Sequence, residues 1–277
     1  MKYRLLLLFL LALCSGAIHA QQDKPVVTFG IVPQQTPSLL ARNWYPLLTY
    51  LSQELPFDLR FATAPSIPEF ERRLSQGLYD VAYMNPFHYV YFHERSGYQA
   101  LARERDKKLT GIIVVRRDSD IQRLEQLDGA TLALPAPAAF AASLLPRSLL
   151  PKKGIHAKVE YVKSHDSVYL AVSRGLFDAG GGVMRTLNGQ PEAIREQLRI
   201  LWKTPEFTPH AFAYQPRLPE AYREALLKAL VDLHDQQEGH LLLEQLGFHA
   251  LVAANDSDWD DVRSLELEKL SEIHSEQ

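Results

Sequence analysis

The sequence predicts an α/β chain with largely parallel sheets, divided into two lobes of similar construction. Three observations support this fold class. Short apolar runs rich in β-branched residues alternate with amphipathic helical patterns through most of the 277 residues. A helix–glycine–strand pattern occurs twice, around Gly77 and Gly175. A chain of this length with 46% hydrophobic and 23% charged residues also has enough apolar side chains for two cores.

The predicted elements follow one another in a regular order. The predicted strands are residues 26–32, 57–62, 80–85, 109–115, 131–134, 159–162 and 199–202. Residues 39–55 form a helix with Trp44 and Leu48 on its apolar stripe. Ser66 and Glu69 begin the next helix as a capping box, in which each side chain accepts a hydrogen bond from the other's backbone amide. The C-terminal third differs, because it predicts helices at 218–233, 241–246 and 259–274 with no strand among them.

The repeat around the two glycines has two interpretations. Residues 73–80 resemble residues 172–178, since each stretch holds a helix end, a capping glycine, an apolar plug and an aspartate, Asp80 or Asp178, that begins a strand. Such a pattern is common in proteins and need not mark a repeat. The alternative is two similar lobes that face a shared cleft, where ligands bind beyond the carboxyl ends of the strands.

The N-terminus predicts export. Lys2 and Arg4, an apolar run over 5–13 and a small-residue end at Ala20 are typical of a secretory signal peptide, so residues 1–20 are expected to be removed. The single cysteine, Cys14, lies inside this segment. A lipid anchor on Cys14 is the alternative, which the bulky residue before it disfavours. The expected mature protein is soluble and has no thiol.

Catalytic, metal and cofactor motifs are absent from the sequence. It holds no Gly-x-Ser-x-Gly elbow, no His-Glu-x-x-His pair and no glycine-rich phosphate loop. His88, His93, His234 and His240 are interpreted as ordinary helix histidines. A net charge of -3 does not favour the binding of nucleic acid, which is itself negatively charged. We therefore expect a protein that is not an enzyme and uses no cofactor or metal.

Polar groups at strand ends and helix starts are the remaining candidates for a site. Residues 137–141 follow a strand and open a helix, so their free amides are expected to bind an anion. His165 stands at another helix start. The glycine run at 180–182 permits close approach of a ligand or of a packed neighbour, and both interpretations remain open.

Several blocks then occur in a familiar order. These are "FGIVPQQTP…WYPLLTYLSQEL", "GLYDVAYMNPFHYV", "GIIVVRRDSDIQRLEQLDGATLALP", "SHDSVYLAVSRGLFDAGGG", "LRILWKTPEFTPHAFAYQPRLP" and "LLEQLGFHALVAAND". Over about residues 26–270 the chain resembles the phosphate/phosphite/phosphonate-type periplasmic substrate-binding proteins of ABC transporters. The resemblance implies a two-lobed type II periplasmic binding fold, each lobe a mostly parallel sheet flanked by helices, that closes on its ligand in the periplasm. It implies lobe 1 at 25–108 plus 206–277, lobe 2 at 109–205, and two crossovers near 109–117 and 204–214.

The departures from the family pattern concern the ligand. Members carry a Ser-Thr-Ser-Gly run at the helix opening of the second lobe, and here Ala139-Phe140-Ala141-Ala142 aligns with it. Each hydroxyl lost from an anion site forfeits about 1.5–3 kcal/mol. Arg185 and His210 align with the acids that face the amine of aminophosphonates. An arginine there favours a carboxylate or similar anion over an ammonium group.

The resemblance assigns the site and its partners. The expected ligand-binding residues are Gln34, Tyr83, Asn85, Ala139, Phe140, Ala141, His165, Arg185 and His210. The expected partners are a small anionic ligand and an inner-membrane ABC permease. One alternative is a periplasmic sensor that signals to a membrane receptor such as a kinase or cyclase. Another is a phosphonate protein whose backbone amides suffice without the hydroxyls.

Overall fold

The structure, a computed structural model, describes residues 24–267. The expected signal peptide, Cys14 and the last part of the helix expected at 259–274 lie outside the described residues. Among residues 24–267, no helix combines the length and the apolar character that crossing a membrane requires.

The strands and helices of this region are numbered in chain order. The strands are β1 (Val26–Ile31), β2 (Asp58–Ala62), β3 (Val81–Met84), β4 (Gln99–Glu104), β5 (Gly111–Arg116), β6 (Thr131–Leu134), β7 (Lys158–Tyr161), β8 (Ala179–Val183), β9 (Leu198–Lys203), β10 (Ala211–Tyr214) and β11 (Leu251–Ala253). The helices are α1 (Pro37–Glu54), α2 (Ile67–Ser75), α3 (Pro86–Ser96), α4 (Leu145–Leu149), α5 (His165–Ser173), α6 (Met184–Asn188), α7 (Glu192–Arg195), α8 (Glu220–Asp232), α9 (Gln237–Gln245) and α10 (Asp260–Arg263). A π turn spans Phe140–Leu144 and runs directly into α4.

The strands form two mixed sheets, each covered by helices. The first sheet has the order β11-β4-β10-β3-β1-β2, and the second has the order β7-β6-β8-β5-β9. The α/β fold class is confirmed, but the sheets are less parallel than predicted. Only β1 with β2 and β3, and β6 with β7 and β8, pair in parallel. The strands that carry the chain between the sheets, β5 and β10, start at the cleft and run away from it, so they pair antiparallel with β8 and β3.

Two segments connect the sheets, and they pair with each other. Leu109 and Phe207 form an antiparallel bridge with N–O distances of 2.7 and 3.0 Å. Beyond this bridge the amide of Gly111 donates to the Thr204 hydroxyl at 2.9 Å. The first sheet draws its strands from 26–104 and 211–253, the second from 111–203. We propose the lobe boundaries 25–108 plus 206–277 and 109–205 on this basis.

Two local predictions are corrected. The C-terminal third does contain a strand, β11, which pairs with β4. Its signal in the sequence is the short apolar run at 250–254, which lies between two helical patterns. The capping box at α2 is half formed: Ser66 Oγ accepts from the Glu69 amide at 3.3 Å, but the Glu69 carboxylate binds Arg72 and Arg73 instead. Hydrogen bonds from these two arginines lower the pKa of Glu69 to about 2.

The repeated motif has the same geometry in both sheets. Gly77 and Gly175 end their helices with φ values of 62° and 69°. Asp80 then accepts a hydrogen bond from the Thr28 amide at 2.8 Å, and Asp178 accepts one from the Thr131 amide at 2.7 Å. The leucines after the glycines, however, are exposed rather than buried plugs.

Candidate functional site

The predicted site residues lie between the two sheets. On the side of the first sheet, Gln34, Tyr83, Asn85 and His210 surround the carboxyl ends of β1 and β3. On the side of the second sheet, Ala139, Phe140 and Ala141 follow β6, His165 follows β7 and Arg185 follows β8. Because parallel strands direct their carboxyl ends to one edge, the sheets present these groups to a common cleft.

An inner cavity brings most of these residues together. We define it by its lining, which comprises Val32, Gln34, Ile67, Asn85, Leu109, Ala139, Phe140, Ala141, Ala142, His165, Val183 and His210. Its volume is about 10 Å³, which is room for one water molecule. Tyr83 and Arg185 lie outside this lining and face a larger space.

The inner cavity is small because apolar groups meet across it. Ile67, at the start of α2, forms a buried cluster with Ala136, Ala139 and Ala142 from the other side. The Phe140 ring is buried and packs edge-to-face on Phe207, with centroids 5.7 Å apart. The side chains of this segment therefore close the cavity and donate no hydrogen bonds to it.

The segment after β6 forms a π turn rather than the expected start of an α-helix. Its carbonyls lie directly on the second sheet: a Cβ added to Gly181 would be 2.0 Å from the Ala142 oxygen, and one added to Gly111 would be 2.1 Å from the Ala141 oxygen. A Cβ on Gly182 would likewise meet the Tyr169 hydroxyl at 2.0 Å. The glycine run thus serves close packing of this turn and of α5 against the sheet.

The two histidines of the cavity are neutral. His210 lies 3.0 Å from Gln34, Nε2 to Nε2, and stacks on Tyr83 with ring centroids 5.0 Å apart. Since the Gln34 amide donates, His210 Nε2 accepts. Burial, and then the charge of Arg185, hold the pKa of His210 well below its usual range. Burial also lowers the pKa of His165 to about 4.

Asn85 connects the two sides of the cleft. Its Oδ1 accepts from the His88 amide at 2.8 Å and so caps α3. Its Nδ2 donates to the carbonyl oxygen of Ala138 at 3.0 Å. One buried side chain therefore orders a strand end and holds the opposite segment.

A second space, the outer cleft, has a volume of about 550 Å³. Its lining includes Gln34, Trp44, Tyr83, Glu104, Lys107, Lys108, Arg185, Asn188, His210, Glu244 and Gly247. Arg185 spans it: Nη1 donates to Tyr83 Oη at 2.9 Å, Nη2 lies 3.5 Å from Glu104 Oε2, and the guanidinium covers the Phe248 ring at 4.5 Å.

Sequence analysis missed Glu104, Lys107 and Lys108. Glu104 ends β4, a strand that no apolar run predicted, and the lysines precede the first crossover. Charged residues in a connecting segment carry no signal that separates a cleft wall from ordinary surface. Within the described part of the chain, no group of three or more His, Cys, Asp or Glu is placed to hold a metal ion.

Comparison with known proteins places these features in a family context. A family model described as "ABC transporter, phosphonate, periplasmic substrate-binding protein" matches residues 29–259. The phosphonates-binding periplasmic protein of Escherichia coli is 20% identical over 278 residues, which cover 95% of this chain and 82% of that protein. The tetrathionate sensor histidine kinase TtrS of Salmonella typhimurium is 22% identical over 79% of this chain, but the match covers 40% of the kinase.

A solved structure shows the same fold. PhnD1 of Prochlorococcus marinus in complex with methylphosphonate superposes with a TM-score of 0.81 at 18% identity. The superposition covers 91% of this chain and all of the other. The two-lobed architecture predicted from the sequence is therefore confirmed.

Proposed function

This chain belongs to the family of phosphonate-type periplasmic substrate-binding proteins of ABC transporters, and we propose from that premise that it captures a small anionic solute and delivers it to an inner-membrane permease. In this proposal the protein works in the periplasm. Binding and release account for the function, so no bond in the solute is made or broken.

The observation that carries the proposal is the convergence of polar groups from both sheets on one cleft. Asn85 and Tyr83 come from one side, and His165 and Arg185 from the other. A solute that contacts both sides stabilises the closed arrangement, because an open one forfeits half of its contacts. The paired segments at Leu109 and Phe207 are where we expect the hinge.

Each predicted residue has a role in this proposal. Gln34 and Tyr83 offer hydrogen bonds from lobe 1, while Asn85 orders the strand end. In lobe 2 the amides of Phe140 and Ala141 face the ligand, and the Phe140 ring seals the cavity. The Ala139 amide does not, because it donates to the carbonyl oxygen of Ala136 at 3.2 Å. His165 and His210 act as uncharged hydrogen-bonding groups, since burial keeps both neutral at pH 7. Arg185 supplies the positive charge.

The solute we favour is an anion other than a simple phosphonate. The hydroxyls that the family uses at the second-lobe turn are replaced, and Ala139 and Ala142 form an apolar contact with Ile67 instead. A tetrahedral anion at this place would have to separate that contact and dehydrate with fewer donors.

The first test is thermal unfolding of the periplasmic protein with phosphate, phosphite, methylphosphonate, 2-aminoethylphosphonate, sulfonates, carboxylates and amino acids. A solute at 100 times its Kd stabilises the fold by about 2.7 kcal/mol. The protein with its bound solute should then increase ATP hydrolysis by the complete ABC transporter to which the cognate permease belongs. A solute that binds without this increase, and that instead changes the activity of a membrane kinase, would favour the sensor function to which the TtrS similarity points.

A further inference from the structure

The outer cleft has the size and the charges of a ligand site in its own right. Its 550 Å³ falls in the range of small-molecule pockets, whereas the inner cavity holds one water. This difference shows where a solute fits without separating packed side chains. The following inference rests on the proposed function and concerns the class of solute.

Glu104 provides a buried acceptor at the wall of the outer cleft. Its side chain is about 4% exposed, and within the described residues its Oε1 accepts no hydrogen bond. Lys107 Nζ lies 3.1 Å from that atom. This contact is an ion pair, so Oε1 has a cationic neighbour but no hydrogen bond among the described residues. A carboxylate oxygen can accept more than one hydrogen bond, so a donor on a ligand adds to the contact with Lys107.

Arg185 provides unused donors in the same space. A guanidinium carries five N–H groups. In the described residues it forms one hydrogen bond of ordinary length, to Tyr83, and one long contact, to Glu104. Its side chain remains 34% exposed. The planar fork matches the two oxygens of a carboxylate.

The charge balance of the outer cleft favours an anion. Its lining holds three cations, Lys107, Lys108 and Arg185, against two carboxylates, Glu104 and Glu244. Lys108 is exposed and has no ion-pair partner within residues 24–267. The uncompensated charge is therefore positive, and Coulomb attraction to an anion is strongest where Lys108 and Arg185 line the same space.

We infer that the solute is a carboxylate that also carries a hydroxyl or amino donor, bound in the outer cleft with its carboxylate on Arg185 and Lys108 and its donor on Glu104 Oε1. Glu104 acts here as a specificity-determining residue. It distinguishes a solute that carries the donor from one that lacks it, because only the former adds a hydrogen bond to the oxygen that Lys107 contacts.

Two matched pairs of probes test the inference by calorimetry on the periplasmic protein. Citrate and tricarballylate differ by one hydroxyl, and glutamate and glutarate differ by one amino group. We expect at least one pair to bind, with the donor-bearing member about tenfold tighter. Glu104→Gln should reduce this ratio to about twofold. Arg185→Lys should weaken both members about tenfold. The control is Arg116→Lys, which alters an exposed arginine paired with Asp118 and should change neither value.

The outcomes separate the inference from the proposed function. Equal affinity within each pair, or an Arg185→Lys protein that behaves like the Arg116→Lys control, overturns the assignment of Glu104 and Arg185. Tight binding of methylphosphonate with no response to carboxylates retains the solute-binding function and overturns the carboxylate class. If no carboxylate, phosphate or phosphonate binds or reduces the radius of gyration, both the inference and the proposed function are contradicted.

Discussion

The side-chain amide of Asn85 donates a hydrogen bond to the carbonyl oxygen of Ala138 across the cleft, with Nδ2 and O 3.0 Å apart. The same side chain caps α3 through the His88 amide. Local helix structure in one lobe is thereby coupled to the position of the other lobe. A change that keeps the cap and removes the donor isolates the second role.

Asn85→Asp is such a change. The carboxylate still accepts from the His88 amide and suits a helix N-terminus, but it cannot donate to Ala138. We expect the closed arrangement to lose about 1 kcal/mol and the ligand-free protein to have a larger radius of gyration by small-angle X-ray scattering. Ser164→Asp, a change at the cap of α5, is the control and should scatter like the wild type. Identical curves for all three proteins would refute the coupling.

Gly181→Ala tests the packing interpretation of the glycine run. The added methyl group would lie 2.0 Å from the Ala142 oxygen and 2.6 Å from Leu134 Cδ2, so the turn after β6 must move. We expect the free energy of unfolding in urea to fall by at least about 2 kcal/mol. Gly189→Ala is the control, because its Cβ would meet the flexible Gln35 amide at 3.2 Å and two backbone oxygens only at ordinary contact distances of 3.5 and 3.7 Å. A stability loss no larger than that of the control would contradict the close packing.

The stability of the fold should depend on pH through His165. Its pKa is about 4 in the folded protein and about 6.5 in the unfolded chain. Between these values the unfolded chain binds more protons, so the free energy of unfolding decreases as the pH falls from 6.5 to 4, by up to about 3 kcal/mol. His210 acts in the same direction.

Urea unfolding at several pH values measures this effect. His165→Gln removes one titrating group and should flatten the decrease between pH 6.5 and 4, while His210 retains its share. The exposed His156, whose side chain is 74% accessible, supplies the control substitution His156→Gln. An undiminished slope in His165→Gln would show that the imidazole is not buried in its neutral form.

Each of the two repeated aspartates, Asp80 and Asp178, should protect one backbone amide from hydrogen exchange. Asp178→Ala removes the acceptor of the Thr131 amide and hydroxyl, and Asp80→Ala removes the acceptor of the Thr28 amide. We expect hydrogen exchange to accelerate about tenfold at the corresponding threonine and to stay unchanged at the other. Each variant is the control for the other. Acceleration at both amides in either variant would mean that the two motifs do not act independently.

The residues of the inner cavity were easier to predict from the sequence than those of the outer cleft. Asn85 and Phe140 follow strands with clear apolar runs, and His165 follows one in which apolar and charged residues alternate. Their positions at a common sheet edge could therefore be expected before the structure was known. Glu104 ends β4, which has no such run and enters the sheet only because β10 returns between it and β3. Nothing in the sequence around Glu104 therefore indicates that this charged residue lines a cleft.

The sequence by itself determined the local structure and the family. Apolar periodicity, capping serines and glycine-ended helices specify elements through interactions between residues close in the chain, and the ordered blocks identify the fold. Only the tertiary structure decided that the turn at Ala139 and Phe140 closes on Ile67, that β5 and β10 make the sheets mixed, and that Arg185 meets Glu104. These relationships join residues far apart in sequence, and their free energy depends on distances and burial that arise when the lobes pack together.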